Sequence, residues 1–214
     1  MTERVLYLIR HGQSDFDSEE MVSTPRGPQF DPPLSATGRE QAHLLAKRLL
    51  VMDQPSVVYS STMKRTRETI APYAEAAAIE VREDPDLIEA NIGEWERRSF
   101  AELLREDEDL LYRVRHQEPV WRFAEGVEQL APFRERVRGA IEGILERHVE
   151  GNVVVVCHGG VINAYLAPLM GIGHEMFFLP ENTSLNSIVV DGDERRIRFL
   201  NDVLHLTDPH LFDR

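Results

Sequence analysis

The stretch Asn152-Val-Val-Val-Val-Cys157 constrains the fold of this 214-residue chain more than any other. Four successive valines leave no polar face, so the segment reads as a strand buried on both sides. Such a strand belongs to a mostly parallel sheet with helices above and below it. The run stops at His158-Gly159-Gly160 and gives way to a helical pattern over about 161–170. Two other runs share this form. Residues 5–9 (Val-Leu-Tyr-Leu-Ile) end on Arg10-His11-Gly12, and residues 57–60 lead through Ser61 to Arg65 at the start of a helix. Ligands of open α/β sheets bind just outside the carboxyl ends of the strands. Arg10 with His11, Arg65 and His158 therefore predict one shared anion site.

The rest of the chain alternates in keeping with this. Residues 13–33 are polar and interrupted by Pro25, Gly27, Pro28, Pro32 and Pro33, which predicts a long functional loop over the end of the first strand. Thr37-Gly-Arg-Glu40 reads as a capping box, opening a helix with Ala42, Leu45, Ala46 and Leu49 on one face. The helix carrying Arg65 is expected to be kinked or limited at Pro72 and extended by Ala74 to Ala78, followed by a brief strand at 79–82 and a loop at 87–96. Ser99-Phe-Ala-Glu102 reads as a second capping box, with a helix to about residue 115. The acidic run Glu106, Asp107, Glu108 and Asp109 on that helix predicts a solvated face. A long helix follows over about 127–149, and residues 185–191 and 195–201 read as a hairpin. Residues 1–214 are expected to form a single α/β domain, a three-layer α/β/α sandwich around a mostly parallel central sheet.

The formal net charge of −13 argues against nucleic acid as a partner, and it repels anionic substrates at long range. A phosphorylated substrate must then be attracted by a local cluster of cations. No apolar window approaches membrane-spanning length and no signal peptide is visible, so the expected partner list has no membrane. The single cysteine, Cys157, fits a cytoplasmic setting and reads as a small buried hydrophobe at the end of its strand.

A transferring phosphoryl group spreads charge over its equatorial oxygens, so a clamp of Arg10, Arg65 and His158 would stabilise its transition state. The in-line nucleophile could be His11, Ser14, Ser61 or Cys157. A neutral imidazole needs no activating base, and neighbouring arginines would keep His11 neutral. Neither hydroxyl has a base beside it in sequence, which favours His11. The leaving alkoxide needs an acid; Glu89, in its apolar setting, is the candidate, with Glu94 and Glu96 as alternatives.

Several blocks occur in order: Arg10-His-Gly-Gln-Ser14, Leu34-Ser-Ala-Thr-Gly38-Arg-Glu-Gln-Ala42, Ser60-Ser-Thr-Met-Lys-Arg65-Thr-Arg-Glu-Thr69, Leu87-Ile-Glu89 with Gly93-Glu-Trp-Glu96, and His158-Gly-Gly160. Together they resemble the histidine phosphatase superfamily, in its phosphoglycerate-mutase-like branch. The resemblance implies a covalent phosphohistidine mechanism with no metal or other cofactor. It makes His11 the phosphorylated residue, Glu89 the proton donor and later the base for water, and Arg10, Arg65, His158 and the Gly159 amide the phosphoryl clamp. Ser14 joins the phosphate contacts. Asn182-Thr-Ser184, Asn201-Asp202 and His205 look like the family's C-terminal segments and carry no catalytic assignment. Three positions depart from the pattern. Asp17 stands where many relatives have an asparagine on the phosphate, and a carboxylate there would repel phosphate unless it is turned away, protonated or paired, for instance with Arg26. Arg97 replaces the usual glycine after Trp-Glu, and Gly126-Val-Glu128 replaces Gly-Glu-Ser. Asp17 and Arg97 are placed on the substrate side. Trp95, Trp121 and Phe123 are candidate walls within the segments lining the alcohol portion.

His158 follows Glu89 by 69 positions, a short interval for a sugar-phosphate mutase of this family, so hydrolysis of a small phosphorylated metabolite is favoured over transfer to a second hydroxyl. A non-catalytic phospholigand-binding regulator is disfavoured by the presence of both His11 and Glu89. A metallohydrolase lacks ligand spacing among the eight histidines, of which His43, His116, His148 and His174 read as surface or packing residues. An α/β-hydrolase lacks the Gly-x-Ser-x-Gly elbow. A homodimer is left open.

Overall fold

The computed structural model describes residues 3–98, 100–116, 118, 125–174 and 176–213. In chain order its strands are β1 (Arg4–Arg10), β2 (Met21–Thr24), β3 (Gly27–Phe30), β4 (Val57–Ser61), β5 (Val81–Asp84), β6 (Val153–Cys157), β7 (Leu185–Asp191) and β8 (Glu194–Asp202). The helices are α1 (Ala36–Val51), α2 (Lys64–Ala77), α3 (Phe100–Glu106), α4 (Glu108–Arg115), α5 (Leu130–Arg147), α6 (Gly159–Leu169) and the short α7 (Leu204–Thr207). Six strands form one sheet in the order β5-β4-β6-β1-β7-β8. The first four run parallel, while β7 returns antiparallel beside β1 and carries β8 on its outer edge.

The two-residue pleat of a strand sends alternate side chains to opposite faces. Tyr7, Ile9, Val58, Val154 and Val156 pack against Leu45, Ala46 and Leu49 of α1 and Ile70 and Tyr73 of α2. Leu6, Leu8, Val153, Val155 and Cys157 face the other way, onto Phe133, Val137, Ile141 and Ile144 of α5 and Val161, Ile162 and Tyr165 of α6. The result is the expected three-layer sandwich. The unbroken valine run of β6 is thus apolar because each face needs alternate residues of it. Among the described residues, no helix is long and apolar enough to cross a membrane.

Several boundaries depart from the sequence reading. Within 13–33 the chain forms the hairpin β2–β3, where a loop is expected; its prolines lie at the edge or outside the ladder, where a missing N–H costs nothing. The cap of α1 is Ser35, which accepts the Gly38 amide, two residues before the anticipated capping box at Thr37. Helix α2 does run past Pro72 to Ala77, as expected, because burying Ile70 and Tyr73 outweighs one lost backbone bond. The strand expected at 79–82 runs instead over Val81–Asp84. The helix expected to run to residue 115 is two helices, broken where Asp107 caps α4 by accepting the Leu110 amide. Asp107 is therefore a stop-and-restart signal inside what reads as a solvated acidic run, and Ser99 lies outside the described residues. Helix α5 covers Leu130–Arg147, shorter than expected at both ends, and α6 starts immediately after His158.

Candidate active site

Strands β4, β6 and β1 are neighbours, with Ser60 opposite Val156 and Cys157 opposite Arg10. Their carboxyl ends deliver Arg65, His158 and the Arg10–His11 pair to one edge of the sheet.

His11 is 8% exposed. Its Nδ1 lies 2.7 Å from the Gly12 carbonyl oxygen. A carbonyl can only accept, so Nδ1 carries the proton and Nε2 keeps its lone pair. The main chain here is pinned from four sides. The His11 amide donates to the Cys157 carbonyl at 3.0 Å, and Thr183 N–H donates to the Arg10 carbonyl at 3.0 Å. Asn182 Nδ2 donates to the His11 carbonyl at 2.9 Å, and the Gly12 amide donates to Thr69 Oγ1 at 2.9 Å. Burial, and then the Arg65 and Arg10 cations, push the His11 imidazole well below the ordinary histidine range.

The cations are held by backbone oxygens. Arg10 Nη1 donates to the Pro180 carbonyl, while its buried Nε has no partner among the described residues. Arg65 Nη1 donates to the Phe30 carbonyl at 3.0 Å and lies 3.5 Å from the Asp31 carboxylate. Hairpin strand β3 thus supports Arg65. The ring of His158 has no exposure and stands edge-on to His11, 5.2 Å between centroids. Burial, then Arg65 and the other nearby cations, also hold His158 well below the ordinary range.

Of the three candidate acids, Glu89 faces the site from the loop after β5. Its Oε2 accepts the Gly160 amide at 2.9 Å, in the first turn of α6, and its Oε1 accepts the Ala90 amide at 3.0 Å. A Cβ on Gly160 would stand 2.3 Å from Glu89 Oε1, so only glycine lets this carboxylate sit on the helix end. The Glu89 carbonyl is tethered by Gln29 Nε2 at 3.0 Å and Arg136 Nη2 at 3.3 Å, and Arg136 is itself paired with Glu128 at 2.7 Å. Glu128 of the departing Gly-Val-Glu block therefore stabilises the loop carrying Glu89. Glu96 spends both oxygens on the Phe30 and Ile92 amides, at 2.8 and 3.0 Å, joining two loops; burial raises its carboxyl above the usual range. Glu94 is exposed beside the turn at Glu125.

Two connected hollows open from His11 and Glu89. One is walled by Ile92, Trp95, Leu103, Met176, Leu179 and Pro180, and also reaches Gly159 and Gly160. The other meets Ser14, Arg65, Phe16, Phe30, Glu96 and Arg97. Ser14, Gly159 and Trp95 are thus at the site. Asp17 is not: its side chain is exposed and lines neither hollow. The expected partner Arg26 is engaged elsewhere, with Asp86 at 2.5 Å and Glu128 at 3.4 Å. Of the expected alternatives, Asp17 is thus turned away from the site, and that guanidinium is held by two other carboxylates. Arg97 sits at the mouth, exposed and paired with Glu19 at 3.2 Å. Its φ of +69° shows why glycine is usual there: the backbone is left-handed. Trp121 and Phe123 lie outside the described residues. Cys157 points into the core, where burial pushes its thiol up and leaves it inert.

Sequence reasoning missed the pins. Thr69, Asn182, Thr183, Asp31 and Arg136 act through contacts to backbone or to a cation, which no residue spacing announces. His205 is fully buried, with Nε2 3.0 Å from Thr183 Oγ1, behind the segment that holds Arg10 and His11.

A family model, the histidine phosphatase superfamily (branch 1), matches residues 6–203. This chain belongs to that superfamily. Phosphoserine phosphatase 1 of Hydrogenobacter thermophilus is 34% identical over 204 residues, covering 94% of this chain and 93% of that one. Phosphoglycerate mutase-like protein 4 of Arabidopsis thaliana is 28% identical over 205 residues, 95% of this chain and 87% of that one. Among solved structures, a mycobacterial glucosyl-3-phosphoglycerate phosphatase in complex with VO3 superposes with a TM-score of 0.76 at 26% identity, covering 92% of this chain and 99% of the other. The relatives of this histidine phosphatase superfamily member thus include phosphatases and mutase-like proteins.

Proposed function

We propose that the protein is a metal-independent phosphomonoesterase that hydrolyses a small phosphorylated metabolite through a phosphohistidine at His11, with residues 1–214 forming one catalytic domain. The observation that carries this reading is the His11 ring: buried, neutral, its Nδ1–H given to the Gly12 carbonyl and its Nε2 lone pair free among Arg10, Arg65 and His158. Nε2 attacks phosphorus, forming an N–P bond as the ester P–O bond breaks and its electrons pass to the alcohol oxygen. Glu89 gives that oxygen a proton. Each carboxyl oxygen has two lone-pair sites, so one amide bond on each leaves room for it. Arg10, Arg65, His158 and the Gly159 amide balance the charge on the phosphoryl oxygens. Glu89 then takes a proton from water, which attacks phosphorus; the N–P bond breaks, its electrons return to Nε2, and inorganic phosphate leaves.

Phosphate release from a panel of phosphomonoesters tests this, wild type beside His11→Ala. Hydrolysis with an acid-labile phosphoenzyme in the wild type, and neither in the variant, is expected. Phosphate transfer to an added polyol without phosphate release would replace hydrolysis by mutase chemistry. A phosphoenzyme that persists in His11→Ala would remove His11 as the nucleophile.

A further inference from the structure

Ser61 ends β4 with no exposure, and its hydroxyl reaches the second site histidine: Ser61 Oγ lies 2.9 Å from His158 Nε2. The same oxygen accepts the Met63 amide at 3.2 Å. A hydroxyl has one hydrogen and two lone pairs. If Ser61 also accepted from His158, its own hydrogen would have no acceptor among the described residues. If instead it donates, every group at Ser61 is satisfied. Nε2 is then the acceptor, and the ring proton must sit on Nδ1. Among the described residues that nitrogen is buried without a partner, as is Nε of Arg10 in the same cluster. An oxyanion held beside His11 would give both of them one.

We propose that Ser61 is a positioning residue: by donating to His158 Nε2 it fixes the tautomer that makes Nδ1–H a donor to the transferred phosphoryl group. The proposal rests on the phosphohistidine reading and extends it to a residue that reads, in sequence, only as a rejected nucleophile. A neutral imidazole has a single N–H, so its tautomer decides whether this wall of the site offers a donor or a lone pair. A lone pair aimed at phosphoryl oxygens would repel them. The neutrality that burial and Arg65 enforce on His158 makes that choice matter.

The test joins a spectroscopic and a kinetic readout. In protein labelled with 15N-histidine, long-range 1H–15N spectra of the wild type should show His158 as the Nδ1–H form. In Ser61→Ala the signal should move towards Nε2–H, with kcat/KM for p-nitrophenyl phosphate falling about 10- to 100-fold, below the cost of deleting an oxyanion donor outright. Ser61→Thr keeps the hydroxyl and should restore the tautomer and most of the rate. Ser60→Ala is the control. Its buried hydroxyl donates to the Ser61 carbonyl at 2.9 Å and touches no ring, so its rate should stay within about threefold of wild type. An Nε2–H form in the wild type, or an unchanged tautomer and rate in Ser61→Ala, overturns the proposal. If the wild type hydrolyses nothing, the phosphatase reading falls, while the spectra still decide the Ser61–His158 arrangement.

Discussion

The phosphoryl side and the alcohol side of this site are built from different material. On the phosphoryl side, three adjacent strand ends present buried Arg65, His11 and His158, each fixed by at least one hydrogen bond within the protein. On the alcohol side, Trp95 comes from a single 3-10 turn and Met176 and Leu179 from loops, and Leu179 is 54% exposed. Strand ends are positioned by the whole sheet, so their geometry survives sequence change nearby. Loop walls are positioned by a few contacts, and can vary without touching the chemistry. One scaffold can therefore keep a reaction and exchange its substrates.

That contrast can be broken at its strongest point first. Replacing Arg65 by Met should cut kcat/KM about 10²- to 10³-fold for every ester tried, because it removes charge from the common phosphoryl group. A loss confined to some esters would show that the two sides are not separable. Gly160→Ala should be next. The added methyl displaces Glu89, so esters with poor leaving groups should lose about 10²-fold and p-nitrophenyl phosphate much less. Equal losses on both would assign the proton to another group.

Acid sensitivity sharpens the comparison, since the buried imidazoles belong to the phosphoryl side and its support. His11 and His158 lie well below 6.5, and His205 is pushed down to about 4, chiefly by burial and then by Arg48. Above about pH 6.5 both folded and unfolded chains hold these rings neutral. Below it the unfolded chain binds protons that the folded one refuses, so stability falls as pH falls from about 6.5 towards 4. Thermal melting should show this, and His205→Asn should flatten the slope; a melting temperature independent of pH over that window would contradict the burial of these rings. The smallest effect belongs to the loop walls. Met176→Ser and Leu179→Ser should reorder the ester panel by less than about tenfold while leaving p-nitrophenyl phosphate nearly unchanged. A uniform collapse would mean that these loops hold the phosphoryl side as well.

The same division explains what was legible in the sequence. Buried strands announce themselves as apolar runs, and the first polar residues beyond them mark the sheet edge; that suffices for Arg10, His11, Arg65 and His158. Glu89 is harder, because Glu94 and Glu96 stand nearby, and what separates them is which backbone amides each carboxylate accepts. Asp17 shows the reverse: a charge close to His11 in sequence, placed on the substrate side by its position, is exposed and lines neither hollow, while Arg26 serves Asp86 and Glu128. The break at Asp107 was hidden because the carboxylate that caps one helix reads like its solvated neighbours.

The place of β1 in the sheet has a consequence for the order of assembly. Strand β1, which leads to His11, is synthesised before the other strands of the sheet, yet its two neighbours are β6 and β7, so Leu6 waits for Val153 on one side and Ile188 on the other. Until most of the chain has been synthesised, the apolar segment ahead of His11 has no strand to join. Long-range pairing of this kind slows folding and leaves sticky surface uncovered in the meantime. The edge that gathers Arg10, His11 and His158 is therefore completed late, when β1 slots between partners made long after it, and a nascent chain truncated before β6 carries His11 without the strands that flank it.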